Sequence, residues 1–175
     1  MGTVAIVDYG VGNLKSVANA LSYLGCSSCI TADPAELERA DAIILPGVGA
    51  FPDAADRLRS GGLDQHVLAQ GQKKPVLGIC LGMQLLLEQG REVRPCPGLG
   101  VIRGTVDRIP TQSKLPHIGW NSLRFFHHSP LFRGLDEGAY DTVRRALPRR
   151  RPSERRPQSM PEPGERVLSP REALL

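Results

Sequence analysis

Four short apolar runs rich in β-branched residues punctuate the first eighty residues: TVAIVD (3–8), CIT (29–31), DAIILPG (41–47) and PVLGI (75–79). Each is too short for a helix of ordinary length, and turn formers or helix starts follow each one. After the first comes YGVGN. Leu14, Val17, Ala18, Leu21 and Leu24 then recur at helical spacing, and Gly25 stands where a helix end needs a left-handed residue. Asp33 as cap with Pro34 at the first helical position opens a second helix. The segment LGMQLLLE (81–88) has the composition and length of a helix after the fourth run.

Strands that alternate with helices need crossover connections, which favour neighbouring parallel strands. The expected fold is therefore α/β, a mostly parallel open sheet flanked by helices. From Gly98 the texture changes, and GLGVIRGTVDRI and HIGWNSLRF read as short strands joined by turns, an antiparallel excursion. Beyond residue 140 neither strand nor helix period survives, and the chain becomes rich in Arg and Pro. This predicts one folded domain over 1–140 and an unstructured tail over 141–175.

That tail decides how the net charge of +4 is read. It carries nine Arg against five acids, which leaves thirteen basic and thirteen acidic groups in residues 1–140. The body is neutral, so no specific nucleic-acid partner is expected, and binding by the basic tail would be incidental. No apolar run reaches about 18 residues and the start shows no charged leader with a cleavage site, so a cytoplasmic protein without membrane attachment is expected. Four cysteines, Cys26, Cys29, Cys80 and Cys96, are too few and scattered for a disulfide framework. Cys26 and Cys29 have redox or metal-pair spacing, but they lack two further ligands and lead into a strand rather than a helix, so they read as structural.

Cys80 is different. In Gly78-Ile79-Cys80-Leu81-Gly82 it stands between an apolar strand and a helix, the pattern of a nucleophile elbow, where glycines relieve crowding and the central side chain is pushed outward. The positive end of a helix also favours thiolate over thiol in general. The second signal is Pro46-Gly47-Val48-Gly49-Ala50-Phe51, whose glycines let backbone N–H groups turn toward a ligand as an oxyanion hole. In an open α/β sheet both loops fall at the carboxyl ends of the strands, where ligands bind.

At this point the sequence resembles the class I glutamine amidotransferases and, within them, the glutaminase subunits of imidazole glycerol phosphate synthase. DYGVGN, PGVGAF, LGICLGMQLL, GLGVI and LPHIGWN carry the resemblance across nearly all of residues 1–135. It implies that Cys80 attacks the side-chain amide of glutamine, that Gly47, Val48, Gly49 and the amide of Leu81 hold the oxyanion, and that Gln84 helps to bind glutamine. It implies that the partner is a cyclase subunit of histidine biosynthesis, with ammonia passing between the two, and that no cofactor or metal takes part. Asn13, His117, Trp120 and Asn121 would lie at the docking face, Trp120 near the ammonia passage. From the residues alone, Asn13 also reads as a helix cap and Trp120 as a core residue.

The family completes its triad with a His-x-Glu pair near the C-terminus, and none is found here: the histidines are His66, His117, His127 and His128. Losing a general base commonly lowers turnover by about 10⁴- to 10⁶-fold, so negligible glutaminase turnover is expected of this polypeptide. The abrupt change near Tyr140 suggests a shifted reading frame, which translating the neighbouring frames would test. Two other readings stand beside the enzyme: a non-catalytic docking subunit, and another elbow-cysteine hydrolase of the same architecture.

Overall fold

The structure, a computed structural model, describes residues 2–108, 110, 120–122, 130–133 and 141–143. Thr3–Val7 forms β1, Ser27–Thr31 β2, Ala42–Gly47 β3 and Val76–Cys80 β4, hydrogen-bonded in the order β2-β1-β3-β4 with every neighbouring pair parallel. The helices between them are α1 (Leu14–Tyr23), α2 (Pro34–Arg39), α3 (Phe51–Ser60) and α4 (Leu63–Gly71), and α5 (Leu81–Leu85) follows β4. The expected parallel sheet with flanking helices is the observed one.

Local chemistry sets the helix starts. Asn13 accepts from the Ser16 amide at 3.3 Å and Asp33 from the Ala35 amide at 2.9 Å, each satisfying a donor that the first turn leaves open. Gly25 after α1 has φ 72, the left-handed residue its position called for. At the other end of α2, the ammonium of Lys74 donates to the carbonyls of Leu37 at 3.0 Å, Glu38 at 2.6 Å and Ala40 at 2.6 Å.

Alternation along the central strands gives the sheet two buried faces. Ala5, Val7, Ile43 and Leu45 join one cluster with Leu37 of α2, Leu58 of α3, Val67 of α4 and Leu81 and Leu85 of α5. Ile6 and Ile44 are buried on the opposite face. Phe51 is fully buried at the start of α3, its ring so close to Gly90 that a Cβ there would meet it at 2.4 Å.

Two expectations need correction. The helix after the elbow stops at Leu85 instead of running to Glu88, and Leu87–Gly90 is a strand, β5. The returning chain supplies the reason: the amides of Leu99, Ile102, Gly100 and Gly98 donate to the carbonyls of Leu85, Leu86, Leu87 and Glu88. Those carbonyls would otherwise be the open acceptors of a helix end, so partners distant in sequence override a helical composition. The strands after residue 90 are also only partly antiparallel. β6 (Cys96–Pro97) runs antiparallel to β5, whereas β7 (Ile102–Val106) runs parallel to it.

Trp120–Ser122 (β8) pairs antiparallel with Asp141–Val143 (β9). The remainder of the expected tail lies outside the described residues, as do His117, His127 and His128. Among the described residues, no helix is long and apolar enough to cross a membrane.

Candidate active site

In this strand order β2 lies on one side of β1 and β3 on the other, so the crossovers leave β1 in opposite directions. The crevice between the carboxyl ends of β1 and β3 is therefore the topological switch point, where open α/β sheets bind ligands. The loop after β1 and the loop after β3 both open there, and the turn after β4 lies beside them.

Cys80 closes β4 and caps α5 with φ 57 and ψ −116, and it alone among the described residues other than glycine has a positive φ. A side chain in that region is strained by about 1–3 kcal/mol, which surrounding structure must enforce. Close backbone approach does so. A Cβ on Gly82 would sit 1.8 Å from the Leu45 carbonyl oxygen, and one on Gly78 would sit 2.5 Å from the Met83 Cα. Only glycine fits at either place, so β3, β4 and α5 meet without side chains between them, and the turn at Cys80 is held sharp. Cys80 itself is half-buried.

Gly47, the last residue of β3, is the register partner of Cys80. Its Cα is hemmed in: a Cβ there would lie 2.7 Å from both the Gly82 nitrogen and the Tyr9 hydroxyl, and 3.0 Å from the Leu81 Cβ. Gly47 and Leu81 are buried, Val48 and Gly49 are exposed, and Gly49 has φ 98. Gln84 is half-buried on α5 one turn beyond the nucleophile turn. Gly47 and Leu81 thus flank Cys80, and Val48, Gly49 and Gln84 follow them along the chain. Asn13 is an exposed helix cap after β1, while Trp120 and Asn121 stand in β8 opposite Val143 and Thr142.

Two residues enter the site that sequence reasoning passed over. Tyr9, buried just after β1, donates from its hydroxyl to the Pro46 carbonyl at 2.7 Å. Burial, and secondly the negative charge of ionised Cys80 nearby, push its phenol well above the ordinary value. The signal was in DYGVGN, where a large aromatic stands directly after a buried strand. Glu92, beyond β5, accepts from the Phe51 amide at 3.4 Å and so ties the start of α3 to a distant loop. Its position carried no local signal.

The other cysteines differ from Cys80. Burial and then the Glu36 carboxylate push the Cys29 thiol up, toward the inert protonated form. Cys26 is exposed and Cys96 buried. Among the described residues no group of three or more His, Cys, Asp or Glu converges as a metal site.

A family model described as class-I glutamine amidotransferase matches residues 5–146. Imidazole glycerol phosphate synthase subunit HisH of Oceanobacillus iheyensis is 49% identical over 138 residues, covering 78% of this chain and 69% of that protein. The protein of the same name from Bacillus cereus (strain ATCC 14579) is 46% identical over 140 residues, covering 78% and 66%. The chain thus spans about two thirds of the length of these curated relatives. Among solved structures, a glutamine amidotransferase superposes with a TM-score of 0.58 at 22% identity, covering 69% of this chain and 64% of that one. A putative GMP synthase protein from Thermoplasma acidophilum gives 0.52 at 20% identity, covering 82% and 67%. At such identities the two structures speak for the fold alone.

Proposed function

The chain belongs to the class I glutamine amidotransferase family, and from that premise we propose that it is the glutaminase subunit of an imidazole glycerol phosphate synthase, with Cys80 as nucleophile. The observation that carries the reading is the strained turn at Cys80 in register with Gly47, the first residue of a glycine loop.

The chemistry follows from that placement. The Cys80 sulfur attacks the side-chain carbonyl carbon of glutamine, and the carbonyl π electrons move to oxygen. Amides of Gly47, Val48, Gly49 and Leu81 stabilise that oxyanion, a kind of contact whose single loss typically costs about 10²- to 10³-fold in rate. The oxyanion collapses, the C–N bond breaks, and the proton given up by the Cys80 thiol passes to the nitrogen, which leaves as ammonia. Water then attacks the γ-glutamyl thioester, releasing glutamate and restoring the thiol. With no His-x-Glu pair in the sequence to carry these protons, this polypeptide turns glutamine over negligibly, and labelling of Cys80 is the readout that does not depend on turnover. Gln84, on the helix that begins at the nucleophile, orients the bound glutamine.

The partner in this reading is a cyclase that consumes the ammonia, docked against a face that includes Asn13, His117, Trp120 and Asn121. It rests on the similarity to the HisH proteins.

The test is covalent labelling of the full chain with the glutamine analogue 6-diazo-5-oxo-L-norleucine, read by peptide mass spectrometry. Labelling is expected on the Cys80 peptide, competed by glutamine and lost in Cys80→Ala. A chain whose Cys80 reacts with iodoacetamide but never with the analogue would not be a glutaminase.

A further inference from the structure

We propose that Tyr9 is a positioning residue for the oxyanion loop: its buried hydroxyl, bonded to the Pro46 carbonyl across the β1/β3 switch point, sets the direction of the Pro46–Gly47 peptide. The inference deepens the glutaminase reading and rests on it.

Three observations converge. Tyr9 follows β1 and Pro46 belongs to β3, so the 2.7 Å bond joins the two strands that flank the crevice. A peptide is planar and trans, so a carbonyl held toward Tyr9 holds the Gly47 amide hydrogen in the opposite direction. The same hydroxyl would lie 2.7 Å from a Cβ on Gly47, so the phenol packs against the residue that faces Cys80 in register. The loop that follows is exposed at Val48 and Gly49 and has no side-chain bond of its own at Ala50, the cap of α3. Its upstream anchor is therefore the Tyr9 bond, and its downstream anchor is the Glu92 contact with Phe51.

The phenol suits this task because it remains a proton donor. Burial, and secondly the Cys80 charge, oppose its ionisation, so the hydroxyl keeps its proton for the Pro46 carbonyl.

The experiment compares Tyr9→Phe with the parent in the full chain, measuring inactivation by 6-diazo-5-oxo-L-norleucine and alkylation by iodoacetamide, whose displacement at saturated carbon needs no oxyanion hole. The proposal expects the maximal inactivation rate to fall about tenfold, its half-saturating concentration and the iodoacetamide rate to stay within twofold, and amide exchange over Gly47, Val48 and Gly49 to quicken. Equal effects on both reagents, or no effect on either, would overturn it while leaving the glutaminase reading in place. A Tyr9→Phe chain without a cooperative melt would assign the hydroxyl to folding alone and overturn it as well. A parent chain that the analogue never labels would remove the glutaminase reading, and this proposal with it.

Discussion

Gly47 lies opposite Cys80 on the last rung of the ladder that joins β3 to β4. From that rung one chain turns into the glycine loop and the other into α5, so donor loop and nucleophile leave the sheet at the same level. No side chain could occupy the Gly47 position without striking Gly82, Tyr9 or Leu81. The close approach and the chemistry therefore depend on the same absence of a Cβ.

The tightest of these contacts is at Gly82, where a new Cβ would meet the Leu45 carbonyl oxygen at 1.8 Å. Backbone stands on both sides, so neither partner can swing away. Gly82→Ala is expected to cost at least about 1–3 kcal/mol, as overpacking does. At Gly61 nothing would come closer than 3.7 Å, and φ is −84. Gly61→Ala is expected to leave stability unchanged or raise it by up to about 1 kcal/mol. Urea denaturation of the two variants side by side checks the contrast.

The strain at Cys80 makes a separate prediction. Alanine ordinarily outlasts glycine by about 0.5–1 kcal/mol within regular structure, because glycine loses more freedom on folding. At φ 57 and ψ −116 the Cβ itself is the burden. Cys80→Gly is expected to be more stable than Cys80→Ala by about 1–2 kcal/mol. If thermal melts place alanine above glycine, the turn is not strained in solution.

Lys74 serves the end of α2 by donating to three carbonyls at once. Replacing it with Met keeps the aliphatic stem and removes every donor. A loss of about 1–3 kcal/mol is expected, with faster amide exchange in α2 than in α3. A chemical melt of Lys74→Met unchanged from the parent would show that water satisfies those carbonyls equally well.

Tyr9 predicts an alkaline limit. Its folded phenol is raised above the ordinary value of about 10, so the unfolded chain loses its proton first. The folded state then binds more protons than the unfolded one, and stability falls as pH rises through about 10, by up to about 1.4 kcal/mol per unit. Below about pH 9 this group adds no slope. In Tyr9→Phe the alkaline decline should be shallower, which denaturant midpoints measured between about pH 8 and 11 would reveal.

Much of the site was legible because it is built from local rules. A glycine-flanked cysteine between an apolar strand and a helix predicts a sharp turn, and Asn13 and Asp33 announce their helices by capping chemistry. The end of α5 was not legible, because Leu87 and Glu88 continue a helical composition and become strand only when residues 98–102 return to satisfy the carbonyls of residues 85–88. Tyr9 and Glu92 were missed for a similar reason: their partners Pro46 and Phe51 lie 37 and 41 residues away.

By itself, then, the sequence determined the strand and helix alternation, the parallel sheet and the cysteine at its bend, since periodicity, capping and glycine placement act within a few residues. Only the tertiary structure decided which backbone groups confront one another: Gly82 under Leu45, Gly47 beside Cys80, and a phenol just beyond β1 bonded to the Pro46 carbonyl of β3. Those contacts join segments far apart in the chain, and steric fit and hydrogen-bond satisfaction between such segments exist only once the strands have assembled.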